Sequence, residues 1–133
     1  MGNRLSRPGF LERAEPWLVH LVALHTLAVG VVLLFATEWG LRFGGWSTAP
    51  PPFFPRQGGA FHLIAAFAYV WEYRRHGTVN VLLCAKGIAT VFLASHSFGT
   101  DVPWLIPFSA VSDGAMGIAV AWVRARVRAS RPA

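Results

Sequence analysis

Two apolar runs in this chain each carry one charge deep inside them, and that constrains the fold more than any other feature. Lys86 lies within Val79–Ser95, and Asp113 lies within Trp104–Trp122. Each run is about long enough to cross a bilayer, which takes roughly 20 residues at 1.5 Å rise per residue. A lone charge at that depth is unfavourable by at least ~2.5–3.5 kcal/mol, so each needs a partner inside the protein. The sequence therefore predicts that Lys86 and Asp113 form a structural intramembrane ion pair.

Composition agrees with a lipid environment. The 133 residues are 54% hydrophobic and only 14% charged, against about a quarter charged in ordinary soluble domains. The single cysteine, Cys84, excludes an internal disulfide. A net charge of +6 would suggest nucleic acid in a soluble protein. Here the basic residues flank apolar runs instead, with no nucleic-acid-binding motif beside them.

The expected architecture is all-α: an integral membrane four-helix bundle, up-down-up-down, forming one domain with both termini cytoplasmic. The spans are placed at about 17–37, 57–73, 78–98 and 103–123, with an outer loop at 38–56 and a basic cytoplasmic tail at 124–133. The first apolar run exceeds a signal-peptide core of about 7–15 residues and is read as a retained span. Pro103 is placed as the first residue of the last helix, with Pro107 one turn in as a possible bend.

Orientation follows from arginine. One side receives Arg4, Arg7, Arg13, Arg74, Arg75, Arg124, Arg126, Arg128 and Arg131; the other receives Arg42 and Arg56. The basic side is the cytoplasmic one, in what is read as a bacterial inner membrane. The tryptophans divide consistently into Trp17, Trp71 and Trp122 at one boundary and Trp39, Trp46 and Trp104 at the other.

Several residues are candidates for contacts or ligands. Trp39, Trp46, Phe53 and Phe54 make the outer loop too aromatic for a free linker, and with Arg56 they are expected to meet lipid or a partner. Arg124, Arg126 and Arg128 are expected to do the same on the cytoplasmic side. Glu72 is expected to pair with Arg74 or Arg75. On span four, Ser109, Asp113, Gly117 and Ala121 form a small, polar-tolerant stripe, matched by Lys86, Thr90 and Ser97 on span three.

Counted from the expected boundaries, His25 lies near ~12 Å depth and His62 near ~20 Å. His20 and His25 are about 140° apart around their helix. No two imidazoles thus match as a haem pair, and no cofactor is predicted; axial ligation of haem or a pigment by His25 or His62 is the lesser alternative. No metal site is expected. The chain has no His-Glu-x-x-His, phosphate loop, nucleophile elbow or facing carboxylates, so no catalytic residue is assigned and an enzyme is not expected. The functional expectation is a non-catalytic accessory or scaffold subunit of a larger membrane complex, respiratory or photosynthetic. Its partners are lipids and other membrane subunits, not nucleic acid. The alternative is a small transporter, or a quinone- or haem-binding anchor using His25, Lys86 and Asp113 as a ligand or relay group.

Overall fold

The computed structural model describes residues 9–130. They form five helices, α1 (Phe10–Phe35), α2 (Thr37–Phe43), α3 (Phe53–His76), α4 (Asn80–Ser95) and α5 (Leu105–Ala129), and no strand among the described residues. Arg4, Arg7 and Arg131 lie outside them.

Most helices overrun the expected spans. The Glu12 carboxylate accepts the Gly9 N–H at 3.0 Å and so starts α1 well before Trp17. Pro16 sits inside that helix and removes one backbone donor. α1 stops at Ala36 (φ −123°), and Thr37 bridges the break by donating to the Leu33 carbonyl at 2.6 Å.

The outer loop is less irregular than expected, because α2 occupies its first part. Gly40 permits this: a Cβ there would meet Val32 at 2.6 Å, so α2 folds back tightly on α1. α3 ends at Gly77, whose positive φ of 62° suits a left-handed cap donating to the Tyr73 carbonyl. Pro103 precedes α5 instead of opening it. Pro107 falls in the first turn, where a missing N–H leaves no bond unmade. α5 then runs to Ala129, so Arg124, Arg126 and Arg128 stand on its last turns and not in a separate tail.

α1 packs chiefly on α3, and α4 on α5; lesser α1–α5 and α3–α4 contacts join the two pairs. The apolar core draws on every long helix, with Val19, Val22, Tyr69, Leu82 and Val120 at its centre. The rest of the burial pattern inverts that of a soluble domain. Glu15, Thr26, Thr37, Glu72 and Lys86 are buried, while Trp17, Leu24, Phe61, Phe67, Ile88, Val91, Val111 and Ile118 are exposed. Two helices, α1 and α5, are long and apolar enough to cross a membrane, and α4 is a shorter apolar helix.

The α1–α3 contact depends on two glycines. A Cβ on Gly30 would fall 2.9 Å from the Gly59 carbonyl oxygen, and one on Gly59 would fall 2.8 Å from that of Gly30. Backbone cannot swing aside as a side chain can. Gly59→Ala is therefore expected to lose about 1–3 kcal/mol through overpacking. Gly58→Ala, whose Cβ would meet only Leu33 at 4.0 Å, should be neutral or slightly stabilising. Thermal unfolding of the two variants in detergent separates them; equal melting would contradict the close approach.

Candidate functional site

The two charges that water would normally keep do meet. Lys86 Nζ on α4 donates to Asp113 Oδ1 on α5 at 2.6 Å. Lys86 is only 5% exposed, so its long apolar stem lies against protein. Small residues on α5 make the room. A Cβ on Gly117 would touch the Lys86 Cβ at 3.5 Å, and one on Gly114 would touch Thr90 at 3.3 Å. Thr90 in turn donates to the Lys86 carbonyl.

The expected stripe on α5 is only partly the buried one, since Ala121 is exposed and the buried face passes to Val120, Val123 and Val127. Steps of four residues drift about 40° per step on a helix of 3.6 residues per turn, so a strict i+4 row leaves the interface. On α4, Ser97 lies past the helix end and caps it by donating to the Leu93 carbonyl.

Two further groups, Tyr69 and His25, lie within electrostatic reach of the pair. Tyr69 is buried on α3 within electrostatic reach of Asp113. His25, exposed on α1, feels the charges of Lys86, Asp113 and His62. His62 donates Nδ1–H to the Gly58 carbonyl at 2.7 Å, which leaves the Nε2 lone pair free.

Gly30 lies against Gly59, His62 and Leu63, and Gly59 against Leu34, so antiparallel counting puts His25 opposite positions 64 to 68, about 3–9 Å along the axis from His62. Among the described residues, no three His, Cys, Asp or Glu side chains group as metal ligands would. His20 and His96 each donate to a carbonyl of their own helix, from Pro16 and Phe92 respectively.

A second ion pair closes the end where α1 begins and α5 finishes. Glu15 is 4% exposed and binds Arg124, which also donates to the Gly77 carbonyl. One guanidinium thereby ties α1, α5 and the turn after α3. Arg124 is directed inwards, unlike the contact residue expected from the sequence, and its Nε is buried without a hydrogen bond. A legible signal was present: Glu15 continues the row Val19, Val22, Thr26 and Gly30, all buried at helical spacing on α1.

Glu72 does not pair with Arg74 or Arg75. It is buried, and its carboxylate accepts the Thr78 hydroxyl at 2.7 Å and the Asn80 and Val81 N–H groups at 3.0 and 2.8 Å. It therefore caps α4 from the preceding helix, where the N-cap residue Val79 has no acceptor of its own. A carboxylate is well suited to that positive helix end.

At the opposite end the aromatic loop docks on α5. Trp104 Nε1 donates to the Phe43 carbonyl at 2.8 Å, Phe43 meets the Trp104 ring edge-on, and Trp39 stacks on Phe43 at 5.5 Å. Trp46 covers Gly44, which has no side chain to obstruct it. Phe53 and Phe54 pack on each other and remain exposed. At the first end Arg126 lies over the exposed Trp122 ring at 5.6 Å.

This arrangement can neutralise and hold charge in the interior, and it presents the His25 imidazole within electrostatic reach of that charge. No protein family, curated protein or solved structure matches the chain.

Proposed function

We propose that the chain is an integral membrane protein in which α1, α3, α4 and α5 cross the bilayer as an up-down-up-down bundle. In this reading its ends are cytoplasmic, and it serves as a non-catalytic accessory subunit of a larger membrane complex. One observation carries the reading: charge is buried and satisfied inside, while large apolar side chains cover the outside. Glu15, Glu72 and Asp113 are each engaged in holding helices together. Arg13, Arg74, Arg75, Arg124, Arg126 and Arg128 share one end with the N-terminus of α1, against Arg42 and Arg56 at the other; this asymmetry supports the orientation. The exposed rings of Phe53, Phe54 and Phe98 supply apolar area for a partner.

His25, within electrostatic reach of Lys86, Asp113 and His62, favours a second reading, a small transporter or a quinone- or haem-binding anchor. Mild solubilisation from native membranes, followed by size and composition analysis and a visible spectrum, tests the two. The accessory-subunit reading expects an assembly that contains other polypeptides. A lone homo-oligomer with a visible band abolished by His25→Ala or His62→Ala would contradict it and support the second.

A further inference from the structure

The positive-inside pattern leaves few cations at the loop end. Among the described residues, Arg42 and Arg56 are the only arginines or lysines between Thr37 and Trp104 that stand there. Both line a single cavity of about 930 Å³ between α2, the proline run 50–52 and the start of α3. Volumes of roughly 300–1,000 Å³ are typical of small-molecule sites.

The charge in this cavity is unbalanced. Arg42 is held by Glu38 at 2.7 Å, one turn back on α2. The Arg56 backbone N–H donates to the Pro52 carbonyl at 3.1 Å, but its guanidinium has no hydrogen bond or ion pair with any described residue. Two guanidiniums against one carboxylate leave a single net positive charge. Arg56 also lines an adjoining slot with Pro52 and Phe53, so the unpaired cation stands between this cavity and an apolar surface. Trp39 on the cavity wall is exposed and offers a flat ring beside the charge.

We propose that this cavity binds a singly charged phosphodiester headgroup, with the phosphate on Arg56 and the attached group along Trp39 and the prolines. A phosphodiester matches the net charge of the cavity, and a guanidinium fork matches its two free oxygens. The adjoining apolar slot accommodates the start of an acyl chain, which makes an anionic phospholipid the natural source. The lipid source rests on the membrane reading given above, whereas the phosphodiester chemistry does not.

Native mass spectrometry of the full-length, delipidated protein in neutral detergent tests this proposal. Phosphatidylglycerol is added as the anionic probe, phosphatidylcholine as the zwitterionic one, and glycerophosphoglycerol as the soluble headgroup. The expected result is about tenfold tighter binding of the anionic lipid than of the zwitterionic one, and loss of about tenfold in Arg56→Gln. Arg56→Lys, which keeps the charge but not the fork, should fall between them.

Glu38→Gln should tighten binding, a gain that misfolding cannot imitate. Arg74→Gln at the other end should leave the affinity of this site unchanged. Glycerophosphoglycerol binding as tightly as the lipid, with the same dependence on Arg56, supports the chemistry and assigns a soluble source. Equal affinity for both lipids, wild-type binding by Arg56→Gln, or no effect of Glu38→Gln would each overturn the proposal. Membrane extraction of the same preparation is scored separately, so a failure of the bilayer reading is distinguishable from a failure of the site.

Discussion

Asp113→Ala should lower the free energy of unfolding in detergent by about 3–5 kcal/mol, because it leaves the buried Lys86 ammonium without its carboxylate. Lys86 Nζ lies 2.6 Å from Asp113 Oδ1, and Thr90, the neighbouring hydroxyl, is committed to the Lys86 carbonyl. The loss therefore reflects an uncompensated charge more than the value of one bond. Replacing both members by apolar side chains, in Lys86→Met/Asp113→Leu, should recover most of the loss, since apolar replacements of similar volume remove the desolvation penalty from both sides. A double variant as unstable as Asp113→Ala would show that the destabilisation comes from repacking of α5. Unchanged unfolding in the single variant would show that the pair holds nothing.

Glu15→Ala is expected to be comparably damaging, again by about 3–5 kcal/mol. Arg124 would keep only the Gly77 carbonyl, and its Nε is already buried without a partner. This site differs from the first in what it ties: α1 to α5, and both to the turn between α3 and α4. Loss of Glu15 should thus loosen the α1–α5 contact, one of the two lesser contacts that join the helix pairs. Arg124→Ala combined with Glu15→Ala should be far less damaging than the sum of the two, which a double-mutant cycle in detergent measures. The two ion pairs share no residue, so Glu15→Ala and Asp113→Ala should add to within about 0.5 kcal/mol. Additive behaviour of Glu15→Ala and Arg124→Ala would contradict their coupling.

The two pairs also differ in how readable they are. Lys86 and Asp113 each interrupt an apolar run, and apolar surroundings leave few ways to satisfy them, so residue type and position suffice. Glu15 was hidden because hydropathy sets the first span at Trp17 and Pro16 looks like a boundary. Helix α1 tolerates that proline and begins at Phe10. Arg124 was hidden by the same kind of error at the far end, where an arginine cluster resembles a tail but is helical to Ala129.

For Glu72 the nearest arginines in sequence, Arg74 and Arg75, are the expected partners. The stronger claim on it is the N-terminus of α4, three of whose nearby donors it satisfies. Val79 as a cap without an acceptor was the available signal. Helix α2 has no periodic signal over its seven residues, and the fit of Gly40 against Val32 together with the Trp104–Phe43 contact explains its position.

The central claim is that the apolar exterior faces hydrocarbon and the charged interior does not face water. Single thiols at Val91 on α4 and Ile118 on α5 test it most directly, because these side chains are 71% and 72% exposed. With Cys84→Ser as background, Val91→Cys and Ile118→Cys should resist a membrane-impermeant maleimide in intact and in permeabilised membranes. Both should react after denaturation in SDS, while Arg128→Cys at the helix end reacts in permeabilised membranes without it. Labelling of Val91→Cys and Ile118→Cys as fast as Arg128→Cys, before any denaturant is added, would contradict the account.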